Sequence, residues 1–99
     1  TKNAVRGNHF HKLSIQSAYV LDGIFEIYNV MVDDNFRYDP KKIEVIKTTK
    51  GDYITHEKFE AHTYKCTSDS GSLMVFTKGV RGGKFYEDDT YRLEKKLVQ

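Results

Sequence analysis

The sequence has no tryptophan, one proline and one cysteine in 99 residues. The lone Cys66 excludes an internal disulfide and favours a reducing compartment, so a cytoplasmic location is the expectation. Pro40 is the single strong breaker of regular structure. Without tryptophan, the seven tyrosines and six phenylalanines must supply the large core volumes. No apolar run approaches the ~20 residues of a membrane span. No signal-peptide pattern opens the chain, and no membrane partner is expected. An excess of one charge is missing too. Sixteen basic residues against fourteen acidic ones leave a net charge of +2. The basic residues are scattered apart from pairs such as Lys41-Lys42 and Lys95-Lys96. That is no footprint for a nucleic acid.

Long helical periodicity, internal repeats and low-complexity segments are also absent. What is present is a series of short alternating runs separated by turn chemistry. His9 to Ile15, Ser17 to Leu21, Ile24 to Val32, Ile43 to Thr48, Tyr53 to Thr55, Ala61 to Thr67, Ser72 to Lys78 and Thr90 to Leu93 read as strands. Ile24 to Val32 is apolar enough for burial on both faces. Gly7-Asn8 reads as a turn, and Asp22-Gly23 as a two-residue hairpin signal. Asp33 to Lys42 reads as a polar loop, His56 to Glu60 as a charged loop and Gly79 to Gly83 as a glycine-rich loop. Leu93 to Val98 has weak helical character. Short strands between turn signals predict an all-β sandwich or barrel. Residues 1–99 are expected to form a single domain, since the chain has no room for a second core.

Chemistry concentrates in the stretch from Arg6 to Gly23. Residues i and i+2 of a strand share a face, so His9 and His11 project side by side. Gln16 lies an odd number of residues beyond His11, and only a bulge or bend brings it to the same face. Two neutral imidazoles and an amide oxygen converging inside a barrel can hold a divalent metal, bind a sugar hydroxyl or move a proton. His62 arrives from the far half of the chain, on one strand face with Tyr64 and Cys66.

These residues resemble the two motifs of the cupin superfamily, small β-barrels of the jelly-roll type. Asn3 takes the first glycine position, followed in register by His9, His11, Gln16 in place of glutamate, and Gly23. Gly51 opens the second motif, with Glu57 at the proline, Phe59 at the next glycine, His62 in register and Cys66 in place of asparagine. The resemblance implies a single small cupin barrel with His9, His11, Gln16 and His62 as ligands of Fe, Mn, Ni or Zn. The amide of Gln16 is a poorer ligand than a carboxylate.

The segment Arg6-Gly7-Asn8-His9-Phe10-His11-Lys12 with Gln16 and Gly23 is also similar to sugar-nucleotide 3,4-ketoisomerases. Those are metal-free cupins acting on dTDP-4-keto-6-deoxyhexoses. Capsule-sugar cupins carry a comparable segment. This second resemblance implies His9 and His11 as an acid–base pair and no metal at all. Removing a proton at C3 and returning one at C4 needs bases near neutral pKa, and histidine fits. Arg6 or Tyr28 can stabilise the oxyanion, and Arg81, Lys84 or Arg92 can face a diphosphate.

Three functions follow. The first is a metal-binding cupin acting on a sugar or another small polar molecule, with sugar-nucleotide isomerisation or epimerisation as the best enzymatic fit. The second is the metal-free ketoisomerase. The third is a non-catalytic carbohydrate or small-ligand binding module. Arg6, Tyr28 and Tyr64 are the candidates for touching substrate. For Tyr28, Tyr64 and Phe76 barrel filling is the expected role rather than a substrate-stacking surface, and Cys66 is expected as a small buried hydrophobe rather than a nucleophile or ligand. A homodimer paired through sheet edges is expected.

Overall fold

A computed structural model describes residues 4–78, 90–93 and 97. Among the described residues, eight strands run in chain order: β1 (Val5–His11), β2 (Ile15–Asp22), β3 (Phe25–Met31), β4 (Glu44–Thr48), β5 (Tyr53–His56), β6 (Glu60–Cys66), β7 (Ser72–Lys78) and β8 (Thr90–Arg92). They form two antiparallel sheets, one ordered β4-β3-β6-β1-β8 and the other β5-β2-β7. The expectation of an all-β barrel of the jelly-roll type holds. Among the described residues, no helix is long and apolar enough to cross a membrane. A short 3-10 turn at Pro40–Lys42 interrupts the β3–β4 connection, capped by the Asp39 carboxylate, which accepts from the Lys41 amide.

Three local readings change. Gly7-Asn8 is not a turn before the first strand. Both residues have positive φ, 95° and 67°, inside β1, and the register against β6 slips between Gly7 and His9. They form a bulge. The Asn8 side chain then ties the bulge down. Its Oδ1 accepts from the Thr63 hydroxyl and the Leu97 amide, and its Nδ2 donates to the Leu93 carbonyl.

The strand from His9 breaks at Lys12. β1 and β2 therefore belong to different sheets. Asp22-Gly23 turns the chain as expected but joins no hairpin, because β2 and β3 lie in different sheets. At Gly23 φ is +86°, and a Cβ there would stand 2.5 Å from the Ser70 carbonyl oxygen. Only glycine fits that crossing. The glycine-rich loop at 79–83, with Arg81, and Lys84 beyond it fall outside the described residues, as does most of the stretch from Leu93 to Val98.

Strand alternation then sorts the side chains. The outer face of the five-stranded sheet carries Phe10, Tyr28, Val30, Val32 and Ala61, buried under Leu93, Leu97 and the β3–β4 connection. Each fully buried large apolar side chain contributes about 1.5–3 kcal/mol. The inner faces of the two sheets meet in Ala18, Val20, Phe25, Ile27, Tyr64 and Cys66. That apolar packing fills one end of the barrel. The other end is polar, and it holds the histidines.

Candidate functional site

Strand pairing brings the polar end together residue by residue. His9 stands opposite His62 across the β1–β6 ladder, and Asn29 opposite His62 across β3–β6. In the facing sheet, Gln16 on β2 stands opposite His56 on β5. Residues directly opposite share a face, so all five point into the barrel. The Gly7-Asn8 bulge also settles Arg6. It pairs with Tyr64 and lies on the His9 side of β1, where an unbroken alternation would have turned it away.

The ligating atoms of His9, His11 and His62 all lie within 4.8 Å of one another. The ring centroids are 4.7 Å apart for His9 and His62, 5.0 Å for His9 and His11, and 5.7 Å for His11 and His62. His62 Nδ1 donates to the Glu60 carbonyl at 3.1 Å. That bond fixes the tautomer, leaving the Nε2 lone pair facing the cluster. His11 Nε2 donates to Gln16 Oε1 at 2.9 Å, and Gln16 Nε2 donates to the Tyr64 hydroxyl at 3.0 Å. The bend at Lys12 is what swings Gln16 from the facing sheet onto His11.

Two observations test whether a divalent ion fits. Among the described residues, the buried side-chain nitrogens and oxygens without a hydrogen-bond partner are both ring nitrogens of His9 and of His56, Nε2 of His62 and Oδ1 of Asn29. Orphaned buried polar atoms each cost roughly 1–3 kcal/mol, and here they crowd into one place. Second, the 2.9 Å between His11 Nε2 and Gln16 Oε1 is close to the roughly 3.0 Å between neighbouring donors of an octahedral ion that each lie about 2.1 Å from it. An ion can take the place of the shared proton. The 4.8 Å spread of the three imidazoles is wider than adjacent donors keep, so small side-chain rotations must close the set. The residues fit a divalent metal.

Burial governs the protonation states. Desolvation, then the charges of His11 and Arg92, lower the His9 pKa to about 4, with Gln16 acting weakly the other way. Desolvation, then His9 and His11, lower His56 to about 4. His62 is held well below its ordinary value by desolvation, then by His56 and His9. All three are neutral at pH 7, as ligands and bases must be.

A cavity of about 590 Å³ adjoins the cluster. His9, Gln16 and Tyr64 line it together with Arg6, Phe25, Cys66 and Val75. Arg6 is exposed at its wall. Arg92, opposite His9 on β8, adds a second cation near it. Arg6 and Tyr64 therefore stand with the histidines, and Tyr28 does not. It lies on the outer face of β3, and its hydroxyl donates to the Glu26 carboxylate at 3.2 Å. His56 is the residue the sequence reading missed. It is no loop residue but the buried end of β5, 1% exposed, stacked on His62. Its signal was Ile54, an apolar residue two positions earlier on the same strand face.

Gln16 supplies a prediction. Gln16→Glu replaces a buried amide, 3% exposed, with the carboxylate of the cupin motif. Without metal, the variant should lose up to about 3.5 kcal/mol of stability at pH 7, because burial resists ionisation. With metal, its affinity should rise at least about tenfold, since a carboxylate is the stronger ligand. Thermal melts with and without manganese, beside a metal titration, check both halves.

No protein-family model matches the sequence, and a search of curated proteins finds no match. Solved structures do match in fold. The capsular polysaccharide assembling protein CapF of Staphylococcus aureus superposes with a TM-score of 0.73 and 18% identity, over 95% of this chain and 26% of that one. QdtA, a sugar 3,4-ketoisomerase from Thermoanaerobacterium thermosaccharolyticum in complex with TDP, gives 0.69 and 18%, over 95% and 61%. A variant of the Bacillus subtilis oxalate decarboxylase gives 0.67 and 22%, over 94% and 22%. The chain thus spans about a quarter of CapF and less of the decarboxylase. All three are cupin-fold proteins, and the jelly roll of this chain is the cupin fold.

Proposed function

We propose that this chain is a cupin module that binds a divalent ion at His9, His11 and His62, with Gln16 as fourth ligand. It takes a sugar or sugar nucleotide in the adjoining cavity, and isomerisation or epimerisation of a sugar nucleotide is the reaction it fits best. One observation carries the reading. Three imidazoles, their ligating atoms within 4.8 Å, stand beside a cavity that His9 and Gln16 line. The ion would supply Lewis-acid polarisation of a substrate oxygen.

The chain's own residues do the rest. His9 meets the cavity as a neutral base able to take a proton from a carbon beside a carbonyl. Arg6 and Arg92 place positive charge where a diphosphate or a developing oxyanion would lie. The QdtA complex with TDP supports a nucleotide of this kind. Capsular polysaccharide assembly by CapF supports a role in sugar modification.

The bond between His11 Nε2–H and Gln16 favours a second reading, in which no metal takes part. There His9 and His11 pass the proton of a 3,4-ketoisomerisation between them. His11 is then held as a proton donor by Gln16, whose own amide donates to the Tyr64 hydroxyl.

Elemental analysis of untagged protein, purified without a nickel column, separates the two. About one equivalent of Fe, Mn, Ni or Zn is expected. Protein that stays metal-free even after metal is added would sink the metal reading. Turnover of a 4-keto sugar nucleotide in excess chelator would then support the proton pair. Ligand binding without turnover under both conditions would leave a binding module.

A further inference from the structure

His56 stands outside both motif registers, yet it is among the most buried residues of the site. It closes β5 opposite Gln16. Its ring lies face to face on His62, with centroids 4.2 Å apart and planes within 12°. Tyr64 packs at 5.4 Å on the same ring. Neither His56 nitrogen has a hydrogen-bond partner, and the nearer Glu60 carboxylate oxygen is 3.9 Å from Nδ1.

The stacking decides what His56 can do. Imidazole lone pairs lie in the ring plane. Two rings stacked in nearly parallel planes cannot aim those lone pairs at one ion. His56 is accordingly not a fourth imidazole ligand, and it is not among the residues lining the cavity. What a flat neighbour at 4.2 Å controls is rotation. It blocks His62 from turning about its Cβ–Cγ bond. The Nδ1–H bond to the Glu60 carbonyl limits the same rotation from the ring's edge. Together the two contacts keep Nε2 toward His9 and His11.

We propose that His56 is a positioning residue of the histidine site, its stacked ring holding His62 with the Nε2 lone pair toward His9 and His11. Its geometry stands by itself; its effect on a bound ion rests on the metal reading above. The residue type also makes sense. The ring must present a face to His62 and an edge to the Glu60 carboxylate, and a hydrocarbon ring would set an apolar edge there.

The test uses two variants that fill the space differently. His56→Phe keeps a flat face without nitrogens, and His56→Leu keeps volume without a face. Long-range 1H–15N spectra of the metal-free protein report which His62 nitrogen carries the proton. Competition with a chromophoric chelator reports zinc affinity. Wild type and His56→Phe should show a single His62 tautomer protonated at Nδ1. In His56→Leu the two nitrogens should give averaged shifts. Zinc affinity should fall roughly 10–100-fold in His56→Leu and stay within about threefold in His56→Phe, as for outer-shell partners generally.

A His56→Leu protein with unchanged tautomer and affinity overturns the proposal. So does a His56→Phe protein as impaired as His56→Leu, because the nitrogens would then matter and the face would not. Should His56→Leu not fold by circular dichroism, His56→Gln takes its place with the same readings. If wild type takes up no zinc, the metal reading fails and the His62 tautomer alone decides the role of His56.

Discussion

Replacing His11 and His62 together with alanine should strip the protein of divalent metal. The two residues come from different strands, β1 and β6, and both are almost wholly buried, at 1% and 0% exposure. Neither can be substituted from solvent. His62 is the better prepared ligand, since its Nδ1–H is committed to the Glu60 carbonyl and its Nε2 has no other partner. His11 is the ligand whose proton must leave, because Nε2 donates to Gln16. Losing both leaves His9 and a neutral amide, which is too few donors for tight binding. Affinity should fall at least about 1,000-fold, beyond the roughly 10–100-fold that a lost outer partner costs. Metal-free stability should change much less. Each alanine opens a cavity, but it also removes a buried nitrogen that has no partner or a proton that must be shared. The check is metal content by mass spectrometry together with chelator competition, on protein shown to be folded. A double variant that still holds one equivalent would place the ion elsewhere.

Much of this site could be read from residue spacing, and the failures share a cause. His9 and His11 needed only strand periodicity, and Gln16 needed a bend, which the chain supplies at Lys12 where it changes sheets. His62 needed a register match across half the chain. The errors came where local chemistry has two uses. Glycine and asparagine favour positive φ in a turn and equally in a bulge, so Gly7-Asn8 read as the former while forming the latter. Asp22-Gly23 turns the chain whether or not its flanking strands pair. Tyr28 sits on a strand buried on both faces, where alternation cannot say which face is the barrel interior. His56 hid inside a charged run with Ile54 as its one local hint, and pairing with β2 is what turns it inward. Long-range pairing is the information that local pattern lacks.

Acidification should unfold the metal-free protein well before its carboxylates titrate. His9 and His56 have pKa values of about 4 in the fold against 6.5 when exposed, and His62 is held well below its ordinary value in the same direction. The unfolded chain therefore binds more protons than the folded one throughout the interval between those values. Stability rises with pH wherever that holds. The contribution of these histidines is complete above pH 6.5 and is lost as pH falls from there toward 4. A shift of that size corresponds to about 3 kcal/mol for one histidine, and domains of this length have only about 5–15 kcal/mol in all. Glu60 works in the opposite sense, since burial raises its pKa, but it is one partly exposed group against the buried His56 and His62 and the half-buried His9. Urea midpoints should therefore drop steeply between pH 7 and pH 4.5. A His9→Gln, His56→Phe double variant should give a flatter profile. Zinc or manganese should steepen the wild-type curve, because ions and protons compete for the same lone pairs. Equal midpoints at pH 7 and pH 4.5 in metal-free wild type would mean that the histidines are not held neutral by burial, and the chemistry assigned to them would fall with that.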